Sequence, residues 1–433
     1  HKAIRRQRQM CIRDRHIRGL QHTCIVAIFM IYAIICKAQR NVIYNSRIAS
    51  LQVMVGNNWL VPPITNLNDL AKTPINISFD DMTHEYHRYT YSIEHCEADW
   101  KTSENLFASD YIEGFSEGNT IDNIAQSVNT NQLYTHYSLS IPNDRCAIRM
   151  SGNYRLTVYD DNNHQEPVLS ACFWIVEPIA GISLSVSTNT DIDINNSHQQ
   201  VSMNLNYGPL NVTDPQNQIQ TVVMQNGRWD NAVINSKPQY ITNDGLRWSH
   251  NKDLIFAGGN EYRKFETLDV NHPTMGIETI DWDGSNYHAY VWTDEPRLSY
   301  IYDEDANGAF CIRNSDNVEN NTASDYLIVH FRLKTPHQTG DIYLNGAWTN
   351  DRFLPQYKMQ YNDTQGCYEA AVRLKQGYYS YQYLLMKPDH TLVPVPSEGN
   401  FYQTENRYQA LVYFKGIGER TDRLVGYNSI RIK

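Results

Sequence analysis

YTYSIEHCEADWKTSENLFASDYIEGFSEGN, residues 89–119, is the least generic stretch of the chain and the one that decides its fold. Its first six residues alternate large apolar side chains with polar ones: Tyr89, Tyr91 and Ile93 against Thr90, Ser92 and Glu94. A period of two is typical of a β-strand that rests one face on a core. The stretch therefore predicts a half-buried strand that runs into residues 95–100.

Residues 95–100 combine an imidazole, a thiol, two carboxylates and an indole, which suggests a metal site or a catalytic nucleophile. Neighbours on a strand point to opposite faces, so His95 and Cys96 are poorly placed to share one metal or to act as base and nucleophile. The sequence also lacks CxxC, HExxH and Gly-x-Ser-x-Gly motifs. We interpret the run as the end of a strand, and we predict no catalytic residues, no metal site, no cofactor and no enzymatic activity.

The composition around this stretch favours an all-β protein. Of the 433 residues, 41% are hydrophobic and 19% charged, as in a globular protein. Aromatic residues make up 12%, with 30 tyrosines, and aromatic side chains are enriched in strands. No helical periodicity is prominent anywhere. The length is enough for about three domains, because single cores rarely grow beyond roughly 250 residues.

Charge is distributed unevenly along the chain. The first 38 residues hold eight of the 37 Lys and Arg residues and one of the 47 Asp and Glu residues. The remainder has 29 basic against 46 acidic residues, a net charge of −17. Binding to nucleic-acid backbones requires clustered Lys and Arg, so no nucleic-acid partner is expected.

The N-terminal 38 residues are typical of a leader with a signal peptide. A basic segment, residues 1–15, precedes the apolar run CIVAIFMIYAII at residues 24–35, and Cys36-Lys37-Ala38 forms a small-x-small cleavage site. A membrane anchor would need roughly 20 apolar residues rather than this short run. A lipoprotein site at Cys36 is disfavoured by the bulk of Ile35. We expect cleavage after Ala38, export to the periplasm, and no membrane span.

Cysteines do not define a disulfide scaffold. After residue 38 the chain keeps Cys96, Cys146, Cys172, Cys311 and Cys367, an odd set without close pairs. Cys96, Cys146 and Cys172 fall in one predicted domain, and their pairing stays open. Small buried apolar residues are the simpler interpretation.

Short alternating runs separated by Asp, Asn, Gly and Pro clusters predict tandem immunoglobulin-like or early-set β-sandwich domains. The predicted ranges are 39–178, 179–322 and 323–433. Within the second range, the run LSYIY at residues 298–302 is interpreted as one of the later strands.

Two further motifs suggest ligands. Asp303, Asp305, Asn307 and Gly308 imitate the start of a calcium loop, but Asn314 stands where the closing Glu would be, and a polar turn is the simpler interpretation. The residues around Trp348 resemble early-set modules in which an exposed indole stacks on sugars.

Taken in order, the motifs of residues 41–433 resemble one family, the periplasmic plug proteins of the Bacteroidetes type IX secretion system. The motifs that carry the resemblance are Val61-Pro62-Pro63, Ser78-Phe79-Asp80-Asp81, the run 89–100, Tyr111-Ile112-Glu113-Gly114-Phe115, Ser151-Gly152-Asn153-Tyr154, Gly258-Gly259-Asn260-Glu261, Gly377-Tyr378-Tyr379 and Asp422-Arg423-Leu424-Val425-Gly426.

The resemblance implies a non-enzymatic protein that sits against the periplasmic mouth of the outer-membrane translocon barrel and blocks it. We predict partner contacts through aromatic residues: Trp100, Tyr111, Phe115 and Trp348. For Tyr111 and Phe115, packing over the end of the sandwich is an equal alternative. The rival function is a glycan-binding periplasmic or surface protein built from sandwich modules.

Overall fold

A computed structural model describes residues 40–161 and 163–432. The predicted leader and the signal-peptide site at Ala38 lie outside these residues. Strands account for 47% of the structure and helices for 7%, in several antiparallel sheets, so the all-β prediction is confirmed.

Residues 42–176 form a sandwich of two sheets around one core. One sheet has the order β1-β12-β11-β5-β7 with β3 beside β12, the other β2-β4-β9-β8, and β6 pairs with β10. The strand predicted from Tyr89 is β5, and Tyr89, Tyr91 and Ile93 point into the core as expected. The strands are β1 (Val42–Ile43), β2 (Ile48–Val55), β3 (Ile64–Asn66), β4 (Ile75–Asp81), β5 (Tyr89–Cys96), β6 (Ile112–Gly114), β7 (Asn119–Thr120), β8 (Asn123–Gln126), β9 (Thr135–Ile141), β10 (Cys146–Ile148), β11 (Gly152–Asp160) and β12 (Asn163–Val176).

The rest of the described chain builds two more cores from nineteen strands. They are β13 (Gly181–Ser187), β14 (His198–Asn206), β15 (Ile219–Gln225), β16 (Val233–Ile234), β17 (Tyr240–Ile241), β18 (Gly245–Trp248), β19 (Ile255–Ala257), β20 (Arg263–Thr267), β21 (Ile277–Trp282), β22 (Tyr287–Val291), β23 (Phe310–Ile312), β24 (Tyr326–Leu333), β25 (Asp341–Asn345), β26 (Gln360–Asn362), β27 (Cys367–Lys375), β28 (Gly377–Met386), β29 (Leu392–Pro394), β30 (Arg407–Phe414) and β31 (Arg423–Arg431).

These two cores are interleaved along the chain. The middle core joins the sheet β13-β14-β18-β17 to the sheet β16-β15-β30-β31, whose last two strands come from the C-terminus. The third core lies between them in sequence and joins β20-β28-β23 to β21-β22-β24-β27-β26. Strands from the predicted ranges 179–322 and 323–433 therefore pair in three sheets, and the division of the chain into these two ranges stays a prediction.

The helices among the described residues are single turns. They are the α-helical turns Ala108–Tyr111, Pro215–Gln218 and Asn320–Ala323 and the 3-10 turns Leu67–Asp69, Lys252–Leu254, Ala347–Thr349, Pro355–Tyr357 and Pro396–Glu398. In this part of the chain, no helix has the length and apolar character needed to cross a membrane.

A buried charge cluster joins the first core to the third. The Asp80 carboxylate in β4 lies 2.6 Å from Lys375 Nζ in β27, 2.6 Å from the Tyr326 hydroxyl and 2.6 Å from His136 Nδ1. Burial alone would raise the pKa of Asp80, but the positive charge of Lys375 and the contact with His136 lower it below its usual value. Removing one partner of such a pair would leave a buried charge, so this contact fixes the two cores against each other.

Candidate partner-binding surfaces

His95 and Cys96 end β5 inside the protein. His95 Nδ1 lies 2.8 Å from Ser103 Oγ, and its Nε2 lies 3.2 Å from the carbonyl oxygen of Ser151. Burial lowers the pKa of His95 and raises the pKa of Cys96 to about 12. A reactive cysteine needs a lowered thiol pKa, so Cys96 is not an activated nucleophile here.

Glu97 connects this strand end to the C-terminal hairpin. Its carboxylate accepts hydrogen bonds from the Thr421 hydroxyl and the Asp422 backbone N–H, both at 2.9 Å. In return, the backbone N–H of Ala98 donates to the Asp422 carboxylate at 3.0 Å. Although burial acts to raise it, these hydrogen bonds lower the pKa of Glu97. The carboxylate is used to join the first core to the β30–β31 hairpin.

Trp100 lies at the same junction and is only 5% exposed. Its ring meets Trp174 of β12 edge-on at 5.3 Å between centroids and Trp229, which follows β15, at 6.3 Å. Its φ of +68° is in the left-handed region, which a bulky side chain adopts only when its surroundings hold it there. The partner contact predicted for Trp100 has no exposed indole to support it in this conformation.

The loop that follows exposes only part of its predicted contact set. Tyr111 is half-buried, packs against the first core and donates from its hydroxyl to the Ile93 carbonyl oxygen at 3.4 Å. Phe115 is 70% exposed, and Phe107, which the sequence did not single out, is 74% exposed. We call these two phenylalanines the Phe107/Phe115 tip.

Trp348 is buried within the third core. Its ring packs against Phe331, Tyr357 and Tyr379, and its Nε1 donates to the Ser380 carbonyl oxygen at 3.2 Å. At 7% exposure the indole presents no face to a sugar or a protein. Trp348, one of the features that motivate the glycan-binding rival, is therefore not exposed in the structure.

The calcium-like run is a turn braced by Asp305. One Asp305 oxygen accepts the Tyr262 backbone N–H and the other accepts the Asn307 backbone N–H, the latter at 2.5 Å. Burial raises the pKa of Asp305 to about 7. Among the described residues, no group of three or more His, Cys, Asp or Glu side chains is arranged to hold a metal ion. Cys96 and Cys146 are free thiols. The Cys172 thiol donates to the Arg40 carbonyl oxygen at 3.7 Å.

The strand predicted at residues 298–302 does not form. Residues 292–304 run as an irregular segment after β22, and we call this segment the 292–304 loop. It carries four exposed large apolar residues: Trp292, Leu298, Ile301 and Tyr302. The strand prediction is wrong because none of residues 298–302 is buried, so the run has no face that packs on a core. The neighbouring Pro296 and the acidic residues on both sides were the only warnings.

The chain is similar to proteins of known family and known structure. A family model described as the first domain of the type 9 secretion system plug protein matches residues 48–177, which covers β2 to β12 of the first core. The chain belongs to the type IX secretion system plug protein family. Membership in the plug family gives it a plug role in type IX secretion and an association with the secretion machinery.

The plug-family chain also matches solved structures. One, described as a hypothetical protein from Parabacteroides merdae, shares 39% sequence identity with it. The alignment covers 92% of this chain and 100% of that one, with a TM-score of 0.87. A search of curated proteins finds no match. The similarity to the Parabacteroides protein extends well beyond the first core, so the interleaved cores belong to the shared fold.

Proposed function

We propose that this chain is a non-enzymatic gate of the type IX system. After signal-peptide cleavage it resides in the periplasm, rests against the periplasmic opening of the outer-membrane translocon barrel, and blocks that opening when no cargo passes. The observation that carries the proposal is the match of the first core to the plug domain.

A plug for a wide, water-filled pore needs a broad and rigid face rather than a pocket. The buried Asp80–Lys375 contact, with 1% exposure of both side chains, supports rigidity between the first and third cores. The Glu97–Asp422 contacts and the Trp100–Trp174–Trp229 cluster support it between the first and middle cores. Buried, fully hydrogen-bonded polar contacts hold one arrangement of parts, because separating them leaves unpaired charges.

The Phe107/Phe115 tip is our candidate contact with the barrel. Aromatic side chains supply much of the binding energy at protein interfaces and lose little rotamer freedom on binding. Trp100, Tyr111 and Trp348 then support the shape of the protein from inside. A non-enzymatic role is favoured by the same geometry, since the chemically suggestive groups of residues 95–100 are engaged in structural hydrogen bonds.

Co-purification from detergent-solubilised outer membranes tests this function. A tagged chain is expected to recover the translocon barrel protein, and the F107A/F115A variant is expected to recover less of it while keeping its fold by circular dichroism. The matched control is I194A, which removes another large apolar side chain that is 70% exposed. Failure of the unaltered chain to recover the barrel, together with retention on a polysaccharide column, would favour the glycan-binding rival and overturn the proposal.

A further inference from the structure

The 292–304 loop exposes more apolar side chain than a solvated loop requires. Leu298 is 88% exposed, Ile301 75%, Trp292 58% and Tyr302 57%. Single exposed apolar residues are normal on protein surfaces, whereas a concentration of them marks an interaction site. Here three of the four fall within five consecutive residues.

Arg297 and Tyr300 of the same loop direct their polar groups to partners within the protein. Arg297 donates to the Glu398 carboxylate at 2.6 Å and to the Glu261 carbonyl oxygen at 2.7 Å. The Tyr300 hydroxyl donates to the Glu261 carboxylate at 2.6 Å. The loop is therefore anchored through Arg297 and Tyr300, while its aliphatic side chains lie in solvent.

Asp294 braces the start of the loop in the same way. Its carboxylate accepts the hydroxyls of Tyr381 and Tyr383 at 2.7 and 2.6 Å and pairs with Arg263 at 2.7 Å. Its backbone N–H and carbonyl oxygen bond to Arg332 and Lys334 of the neighbouring segment. These hydrogen bonds fix the backbone of the loop, so its apolar side chains are already in place before a partner binds. Preorganisation of this kind reduces the conformational entropy lost on binding.

The charge around the apolar side chains restricts the partner. Three carboxylates of the loop are exposed, those of Glu295, Asp303 and Glu304, against the one basic residue Arg297. Lys264 and Lys334 pair with Asp303 and Glu295 from neighbouring strands and hold those carboxylates in place. A second copy of this loop or an anionic lipid surface would bring like charges together, whereas a protein groove rimmed with Lys and Arg would match both the apolar and the acidic groups.

We infer that the 292–304 loop is a docking element that inserts Leu298 and Ile301 into an apolar, basic-rimmed groove on the periplasmic side of the translocon. The inference rests on the proposed function for the identity of the partner. It adds a second attachment point, in the third core, to the Phe107/Phe115 tip in the first. Two attachment points on cores fixed to each other would set the orientation of the plug.

The test measures binding of the purified chain to detergent-solubilised translocon barrel immobilised on a sensor. The variant L298S/I301S should weaken binding by about tenfold or more, as expected for loss of central apolar contacts. The matched control I194S/I417S, which changes residues that are 70% and 86% exposed elsewhere, should stay within about twofold. The variant E295K/E304K should weaken binding at low salt and lose that effect at high salt.

Each contrary result has a distinct meaning. Equal affinity of L298S/I301S and the unaltered chain overturns the docking inference and leaves the proposed function standing. No binding by the unaltered chain overturns the proposed function itself. Sedimentation of a dimer that L298S/I301S abolishes would assign the loop to self-association. Binding to phosphatidylethanolamine and phosphatidylglycerol vesicles that is lost in L298S/I301S would assign it to a membrane surface. Both results overturn the inference.

Discussion

The segment of residues 95–119, which begins at the end of β5 and contains β6, and the irregular 292–304 loop place their side chains in opposite ways. The first segment carries His, Cys, Glu, Asp and Trp, and its opening residues lie largely in the junction between cores. The second carries ordinary aliphatic and aromatic residues and exposes them. Burial by the surrounding structure, rather than residue type, therefore decides which segment is available to bind a partner.

Mutations in the two segments should change different properties of the protein. Truncation in the 95–100 run should be seen in the free energy of unfolding, because its contacts join the cores. Truncation of the outward side chains of the 292–304 loop should be seen in binding. The division is therefore between a segment that sets stability and a segment that sets binding.

The largest expected difference is between W100A and L298A. Trp100 packs edge-on against the stacked pair Trp174 and Trp229, so its removal should lower the free energy of unfolding by about 3–5 kcal/mol. L298A should change it by less than about 0.5 kcal/mol, because the side chain is already in water. Urea unfolding followed by fluorescence measures both. Similar losses in the two variants would refute the division.

Asp305 directly follows the 292–304 loop. Its carboxyl group should make the free energy of unfolding fall as the pH rises. Its pKa is raised from 3.8 to about 7 by burial, so between these values the folded state holds a proton that the unfolded state has released. The contribution of this carboxyl is therefore most favourable below pH 4 and is lost progressively up to about pH 7, by about 2–4 kcal/mol. D305N should remove this part of the slope in urea unfolding at a series of pH values. An unchanged slope would show that Asp305 ionises normally.

Glu97 should matter less than Trp100 but more than its exposed neighbours. E97Q removes one of the two oxygens that accept hydrogen bonds from Thr421 and Asp422, which should cost about 1–2 kcal/mol in urea unfolding. The matched control is E104Q in the same segment, where the side chain is exposed and a change below about 0.5 kcal/mol is expected. Equal effects would mean that the junction does not depend on this carboxylate.

His95 should give the smallest effect and the opposite pH sign to Asp305. Burial lowers its pKa below 6.5, so the unfolded state takes up a proton first as the pH falls. Stability from the neutral imidazole is complete well above pH 6.5 and should decline as the pH falls below 6.5. In H95N this decline should be absent. A variant that keeps the full decline would place the responsible group elsewhere.

The sequence alone correctly predicted local features of the structure. The period-two pattern at Tyr89, Tyr91 and Ile93 correctly predicted β5 because the alternation of faces is a local property of the strand. The motif order correctly indicated the plug family. The interpretation of residues 95–100 as a strand end agrees with their hydrogen bonding, since β5 ends at Cys96.

A single sequence could not predict which strands pair when they lie far apart along the chain. β15 pairs with β30, which is more than 180 residues away in the sequence. The alternation of apolar and polar residues in either strand does not indicate which strand it pairs with. The same limit applies to side-chain burial in irregular segments. Trp348 and Leu298 both lie outside strands, and only the tertiary packing shows that the first is buried and the second exposed.

The most direct test of the account is the conductance of purified translocon barrel in a planar bilayer, measured before and after residues 39–433 of this chain are added on the periplasmic side. The account predicts that the unaltered chain closes the open barrel and that F107A/F115A closes it less effectively at the same concentration. Conductance that stays unchanged at concentrations where binding of the chain to the barrel is demonstrated would contradict the gating role.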